Sequence, residues 1–82
     1  MTRRAIDPTA REFPYEQVAA DIAARIQAGE FRPGQMIPSE STLIDEYEIS
    51  RSTARRAVAL LRDQGIVETR IRRGSFVAGG RT

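Results

Sequence analysis

The side chains best suited to chemistry in this sequence are the arginines and hydroxyls between residues 50 and 64. Arg51 and Arg55 are spaced to lie one turn apart on one face of a helix, and Arg62 falls near the same side two turns later. Three residues flank them: Ser52, Thr53 and Arg56. Guanidinium and hydroxyl groups donate hydrogen bonds to phosphate oxygens and to the acceptor atoms of guanine. This stretch is therefore predicted to bind an anion.

The same stretch has an apolar period typical of a helix with one buried face. Its apolar positions are Ala54, Ala57, Val58 and Leu61. Ser50 is predicted to cap the helix, because its hydroxyl can accept from the backbone N–H of Ser52 or Thr53. Gly65 is predicted to end it in the left-handed conformation. The helix thus has one buried face and one cationic face.

Charge is distributed unevenly along the chain. Residues 50–82 contain eight arginines and two acidic residues, a net charge of +6, whereas residues 12–49 contain two arginines and eight acidic residues, a net charge of −6. The overall charge of +2 therefore hides a strongly basic half, which favours a polyanionic partner. All thirteen basic residues are arginine, which suits phosphates and guanine edges, although a genomic codon bias would give the same count.

The composition excludes several functional classes. At 82 residues the chain is predicted to form one small domain. Without cysteine or histidine it has no disulfide framework and is predicted to have no zinc site, no Ser-His or Cys-His catalytic pair and no cofactor, so we do not expect an enzyme. It contains neither a membrane-length apolar run nor an apolar signal segment, and the expected location is the cytoplasm.

The first half of the chain is predicted to contain a core helix after a flexible tail at residues 1–12. An alternative interpretation is that three arginines of that tail contact a phosphate backbone: Arg3, Arg4 and Arg11. Pro14 fits the first helical position, and an apolar stripe follows from Tyr15 to Ile26. Gly29 is predicted to end this helix, and Gly34 to take positive φ in the turn that follows.

A short second helix is predicted to precede the basic one. Ser39 is a suitable N-cap, Glu40 complements the positive end of the helix, and three residues supply the buried side: Leu43, Ile44 and Tyr47. Only Glu48 and Ile49 then separate this helix from Ser50. The spacing is that of a helix-turn-helix, although any closely connected pair of helices produces it.

After Gly65 the sequence predicts a β-hairpin. Residues 66–71 and 75–77 have strand-forming composition, and the turn between them contains Arg72, Arg73 and Gly74. The predicted fold class is therefore mainly α with a small β-hairpin wing (α+β): a winged helix-turn-helix with three helices and two to three short strands. Its predicted boundaries are residues 13–78, and residues 79–82 form a C-terminal tail or the start of a linker. A wing of this kind can place arginine in an adjacent minor groove.

Several blocks of the sequence together resemble the N-terminal DNA-binding domain of the GntR family of bacterial transcription regulators. They run through Tyr15-x-Gln17-Val18-Ala19, Gly29-x-Phe31-x-Pro33-Gly34, Ile37-Pro38-Ser39-Glu40-x-x-Leu43, Ile49-Ser50-Arg51-x-Thr53-x-Arg55-x-Ala57, Leu60-Leu61-x-x-x-Gly65-Ile66-Val67-x-x-Arg70 and Gly74-Ser75-Phe76-Val77. The resemblance implies a winged helix that binds an operator in double-stranded DNA, with repression more expected than activation. It also implies recognition-helix contacts from Ser50 to Arg55 and wing contacts around residues 71–74.

The resemblance and the charge pattern together define a predicted DNA-binding set: Ser39, Ser50, Arg51, Ser52, Thr53, Arg55, Arg56, Arg70, Arg72, Arg73 and Gly74. Arg51 is predicted to make a bidentate contact to guanine, and Arg55 to contact a phosphate or a second base. Arg56 is expected to pair with an acid or hold a phosphate, and Arg62 lies too far along the helix to reach bases.

The sequence departs from the family pattern at four points. Ser41 stands where many members have an arginine, Glu48 replaces the usual glycine of the turn, and Arg72 replaces the first glycine of the wing. The last departure is that the sequence ends at Thr82 without the larger effector-binding and dimerising domain, which is therefore missing or separate. An excised domain and a naturally short protein are both consistent with this.

Two other functions remain open from the sequence. A winged helix can serve as a protein-interaction module without specific DNA binding, which the acidic half would suit. RNA binding is less favoured, because the sequence offers no aromatic platform for single strands. For assembly, we expect a monomer in free solution that forms a homodimer on DNA, with two copies on an inverted repeat.

Overall fold

A computed structural model describes residues 6–79, and over this range the chain forms three helices and one antiparallel pair of strands. The helices are α1 (Pro14–Gln27), α2 (Glu40–Tyr47) and α3 (Arg51–Asp63). The strands are β1 (Val67–Arg70) and β2 (Gly74–Val77). This order of elements confirms the predicted winged helix-turn-helix.

Each helix begins where the sequence predicts. Pro14 is the first residue of α1, and Glu16 Oε1 accepts a hydrogen bond from the Phe13 N–H at 2.9 Å. Ser39 Oγ accepts from the Thr42 N–H at 3.2 Å, and Ser50 Oγ accepts from the Thr53 N–H at 3.1 Å. Both serines satisfy N–H groups that the first turn of a helix leaves without a partner in the helix.

The helix ends differ in the residue that takes the left-handed conformation. Gly29 (φ 87°) follows α1 and Gly65 (φ 77°) follows α3, as predicted. After α2 the left-handed residue is Glu48, with φ 55° and ψ 54°. A side chain with a Cβ costs roughly 1–2 kcal/mol in this conformation, so the turn between α2 and α3 is strained.

The core draws side chains from all three helices, from both strands and from the segment before α2. Its buried apolar members are Val18, Ala19, Ile22, Ile37, Leu43, Tyr47, Ala54, Ala57, Leu61, Val67 and Val77. Ala54, Ala57 and Leu61 come from the apolar face of α3. Burial of that face turns the arginine face of α3 towards solvent.

The wing is a short hairpin with Val67 paired to Val77 and Arg70 paired to Gly74. At its tip the Arg73 N–H donates to the Arg70 carbonyl at 3.0 Å, and Arg72 has a positive φ of 65°. On the other side of β2, a single bridge pairs Met36 with Phe76. The sequence allowed a third short strand, and the structure has only the bridged residue Met36 in its place within residues 6–79.

The structure describes only part of the two predicted tails. Residues 6–12 form no helix or strand, but the Gln17 amide accepts from the Asp7 N–H at 2.9 Å and donates to the Asp7 and Glu12 carbonyls at 2.9 and 3.0 Å. Arg3 and Arg4 lie outside the described residues, as do residues 80–82.

Candidate nucleic-acid interface

The N-terminal turns of α3 place a group of polar side chains on one exposed surface, which we name the recognition surface. Its members are Ser50, Arg51, Ser52, Thr53, Arg55 and Arg56, of which Thr53 is half-buried and the others are exposed. The surface forms because the alternate face of the same helix is buried in the core. The structure therefore brings together the α3 members of the predicted site.

One carboxylate from α2 joins the two central arginines of this surface. Glu40 Oε1 lies 3.2 Å from Arg51 Nη1 and 3.4 Å from Arg55 Nε. The side chains of Arg51 and Arg55 remain 54% and 66% exposed, and that of Glu40 is 37% exposed. A guanidinium has five N–H donors, so each arginine keeps several donors for an outside acceptor.

Two serine hydroxyls of the site form different numbers of hydrogen bonds within the protein. Ser50 Oγ caps α3 and also hydrogen-bonds the hydroxyls of Ser52 (3.2 Å) and Thr53 (2.9 Å). Ser39 Oγ caps α2 and lies 3.0 Å from Thr42 Oγ1. Ser39 and Ser50 are therefore structural caps, and their exposure at helix N-termini also suits them to approach a phosphate.

Arg56 is positioned by an aromatic ring from α1. Its guanidinium lies 4.4 Å from the centroid of the Tyr15 ring, and that ring stacks against Phe13 with centroids 6.2 Å apart. A cation over an aromatic face is held without neutralising its charge. Arg56 thus remains a cation at the edge of the recognition surface, fixed to the start of α1.

The wing carries the remaining predicted residues. Arg70 lies over the Phe76 ring at 5.1 Å and is 3.7 Å from Glu68 Oε1. Arg72, Arg73 and Gly74 are exposed around the tip. Gly74 has φ 113°, a backbone conformation that favours glycine, and a Cβ there would lie in ordinary contact with Met36 Sδ at 3.4 Å.

Sequence reasoning missed two partners at this site. Glu40 was predicted only to complement the end of α2, and Tyr15 only to belong to the apolar stripe of α1. Their contacts with Arg51, Arg55 and Arg56 depend on how the helices pack. No local pattern in the sequence signals either contact.

The acidic half of the molecule contains a buried arginine network that the sequence did not indicate. Arg25 donates to Glu30 Oε2 at 2.6 and 2.9 Å, to Glu46 Oε1 at 3.4 Å and to the Tyr47 hydroxyl at 3.3 Å. Its guanidinium also lies 4.8 Å from the centroid of the Phe31 ring. The Arg25 side chain is only 10% exposed. It links α1, the loop that follows, and α2.

This network raises the pKa values of the Arg25 guanidinium and the Tyr47 hydroxyl. Burial alone lowers the pKa of the Arg25 guanidinium, but hydrogen bonds to Glu30 and Tyr47 outweigh burial and hold that pKa above its ordinary value. Burial raises the pKa of the Tyr47 hydroxyl, and the hydrogen bond that this hydroxyl donates to Asp21 at 2.5 Å raises it further.

Over residues 6–79, every buried side-chain nitrogen and oxygen has a hydrogen-bond partner. None of the helices in that range is long and apolar enough to cross a membrane.

Sequence comparison matches this chain to a family of bacterial regulatory proteins and to individual regulators. The sequence model of the family described as bacterial regulatory proteins, gntR family, matches residues 14–77. The Exu regulon transcriptional regulator of Escherichia coli is 39% identical over 63 residues, which cover 77% of this chain and 24% of the relative. The mannosyl-D-glycerate transport/metabolism system repressor MngR of the same species is 40% identical over 63 residues, covering 77% of this chain and 26% of the relative. This chain thus spans about a quarter of the length of these curated relatives.

A solved structure extends the comparison to three dimensions. The crystal structure of AraR(DBD) in complex with operator ORX1 superposes with a TM-score of 0.85 at 32% sequence identity. The match covers 95% of this chain and 99% of that one. The winged helix described above is therefore a fold that has been observed bound to an operator.

Proposed function

Because this chain belongs to the GntR family of bacterial regulatory proteins, as its motifs predicted, we propose that it binds double-stranded DNA sequence-specifically and regulates transcription in the bacterial cytoplasm. The observation that carries the proposal is the pair Arg51 and Arg55, exposed side by side on the first turns of α3. Repression is the favoured direction, since MngR and the histidine utilization repressor of Klebsiella aerogenes are relatives named as repressors.

In this proposal the N-terminal turns of α3 enter the major groove. Arg51 donates in bidentate fashion to guanine O6 and N7, and Arg55 contacts a phosphate or a second base. Ser52 and Thr53 lie beside them and hydrogen-bond phosphates or base edges. Arg56, held by Tyr15, contacts the backbone at the edge of the groove.

Exposed helix N-termini and the wing add contacts to the backbone. Ser39 and Ser50 lie at the starts of α2 and α3, where backbone N–H groups and the helix dipole favour a phosphate. Arg70, Arg72 and Arg73 reach along the adjacent minor groove, with Gly74 allowing the tight tip. These contacts supply affinity, whereas Arg51 supplies most of the sequence preference.

The proposed assembly is two copies on an inverted repeat. Within residues 6–79, the large apolar side chains that stay exposed are Phe13, Met36 and Ile71, each on a different segment of the chain. We therefore propose that residues 6–79 do not dimerise by themselves, and that adjacent half-sites bring two copies together. Since this chain spans about a quarter of the length of its curated relatives, we propose that an effector-binding domain also belongs to the complete regulator.

Selection of duplexes from a random pool, followed by titration at several salt concentrations, tests the proposal. We expect an enriched inverted repeat whose full site binds more tightly and more cooperatively than an isolated half-site. Each phosphate contact should contribute roughly −0.9 to the slope of log affinity against log salt, so several contacts should give a steep slope. A pool without any enriched sequence, or a slope near zero, would contradict DNA recognition and favour a protein-interaction module.

A further inference from the structure

Glu40 occupies an unusual position for an acidic residue in a surface that faces a polyanion. It is the first residue of α2, and one of its oxygens contacts Arg51 Nη1 and Arg55 Nε on a different helix. The proposed function gives Arg51 a contact to guanine and gives Arg55 a contact to a phosphate or a second base. A carboxylate at the same place repels phosphates and lowers the local positive potential.

The contact has little to do with stability. All three side chains are substantially exposed, with exposed fractions between 37% and 66%. Ion pairs in such surroundings contribute little to folding, because water screens the charges and the side chains lose entropy. The effect of Glu40 should therefore fall on binding.

The geometry also restricts how the arginines can turn. A single oxygen accepts from the Nη1 of Arg51 and from the Nε of Arg55, which ties two flexible side chains to one point. The remaining guanidinium donors stay available, so a ligand that presents acceptors at the right places can bind without displacing Glu40. A phosphate at an arbitrary place along the backbone must approach the carboxylate or pull an arginine away from it.

We propose that Glu40 is a specificity-determining positioning residue, which orients Arg51 and Arg55 towards base edges and whose charge weakens their binding to random DNA. The inference rests on the proposed function, because it assigns Glu40 a role at the same DNA-binding surface. In this proposal, discrimination between cognate and random DNA depends on Glu40, Arg51 and Arg55 together. Favourable contacts alone do not reject wrong DNA sequences. Glu40 acts through the arginines and need not touch a base.

The test compares Glu40→Gln with a matched control, Glu68→Gln, on the duplex selected above and on random duplex. Glu68 lies 3.7 Å from Arg70 on the wing, so this control removes the same charge from another arginine of the basic half. Glu40→Gln should tighten binding to random duplex by about threefold to tenfold, leave binding to the selected duplex unchanged or weaker, and steepen the random-duplex salt slope by up to about one. Glu68→Gln should change affinity for both duplexes alike, leaving their ratio within about twofold of the parent.

A second variant separates charge from orientation. Glu40→Asp keeps the charge at the start of α2 but shortens the side chain, so one oxygen no longer reaches both arginines. We expect its random-duplex affinity to stay near that of the parent, while the selected duplex binds more weakly. Circular dichroism and thermal unfolding establish that each variant is folded.

The outcomes distinguish this inference from the proposed function. If the unmodified protein prefers no sequence, the proposed function itself is wrong. If it prefers a sequence but Glu40→Gln keeps the same selected-to-random ratio as the parent, the inference about Glu40 alone is overturned. A Glu40→Asp variant that matches the parent on both duplexes would overturn the orienting role.

Discussion

Arg25 and Arg51 both contact carboxylates, but they lie in opposite halves of the molecule and differ in burial and in their number of partners. Arg25 is 10% exposed and contacts two carboxylates, a phenol and an aromatic ring. Arg51 is 54% exposed and shares the carboxylate of Glu40 with Arg55. A guanidinium enclosed by its own chain stabilises the fold, whereas one with most of its donors in water can bind something else.

The comparison shows why charge in the sequence does not by itself locate function. The acidic half suited a protein-interaction module, yet Asp21, Glu30 and Glu46 surround Arg25 and Tyr47 within the fold. The basic half has fewer acidic residues, and its arginines between residues 51 and 73 are exposed.

The largest expected effect is on folding, from Arg25→Ala. This change removes the Arg25 guanidinium from Glu30, Glu46 and Tyr47 and empties its largely buried position, so the free energy of unfolding should fall by about 3 kcal/mol. Urea denaturation measures the change. Arg25→Lys, which keeps the charge but loses the forked donors, should lose less. A loss below about 1 kcal/mol would show that Arg25 is not the centre of a stabilising network.

The next effect is on recognition, from Arg51→Ala. The variant should lose about 1–3 kcal/mol on the selected duplex and much less on random duplex, because a bidentate base contact is absent from random sites. Its unfolding free energy should change by less than about 0.5 kcal/mol, since the side chain is exposed. Arg62→Ala, further along α3, is the control and should leave the ratio of the two affinities unchanged. Equal losses on both duplexes would reassign Arg51 to the DNA backbone.

A smaller effect is expected at the wing. Arg72→Ala or Arg73→Ala should weaken selected and random duplexes evenly, by about 1 kcal/mol, and reduce the magnitude of the salt slope by about one. Fluorescence anisotropy at two or more salt concentrations measures both quantities. A change confined to the selected duplex would mean that the wing reads sequence.

The smallest effect concerns the turn that sets α3 against α2. Glu48→Gly keeps the left-handed conformation at φ 55° and removes the strain that a Cβ causes there, but it adds flexibility to the unfolded chain. The net gain in unfolding free energy should be about 0.5 kcal/mol. Glu48→Ala keeps a Cβ and should give no such gain. Thermal unfolding compares the three proteins, and a destabilised glycine variant would show that the Glu48 side chain contributes more than the strain costs.

Much of the fold was predictable because local chemistry determines it. Pro14, Ser39, Ser50, Gly29 and Gly65 each have a backbone role that their side chain or its absence dictates, and the structure places all five in those roles. The apolar period of α3 likewise determined which face is buried and hence which face is cationic. Membership of the recognition surface followed from that face together with the family resemblance.

The contacts between side chains on different elements could not be predicted in the same way. Glu40 meets Arg51 and Arg55 only because α2 and α3 pack at a particular angle, and Arg56 meets Tyr15 only because α1 crosses α3. No local period encodes these distances. The sequence therefore indicated which residues form the surface, and the structure adds which of them are held and by what.

The most direct test of the central claim is backbone amide NMR of the protein titrated with its selected duplex. We expect chemical-shift changes concentrated at residues 50–56 and 70–74, with little change around Arg25 and Glu30. Changes concentrated around Arg25, Glu30 and Glu46, with residues 50–56 unaffected, would contradict it.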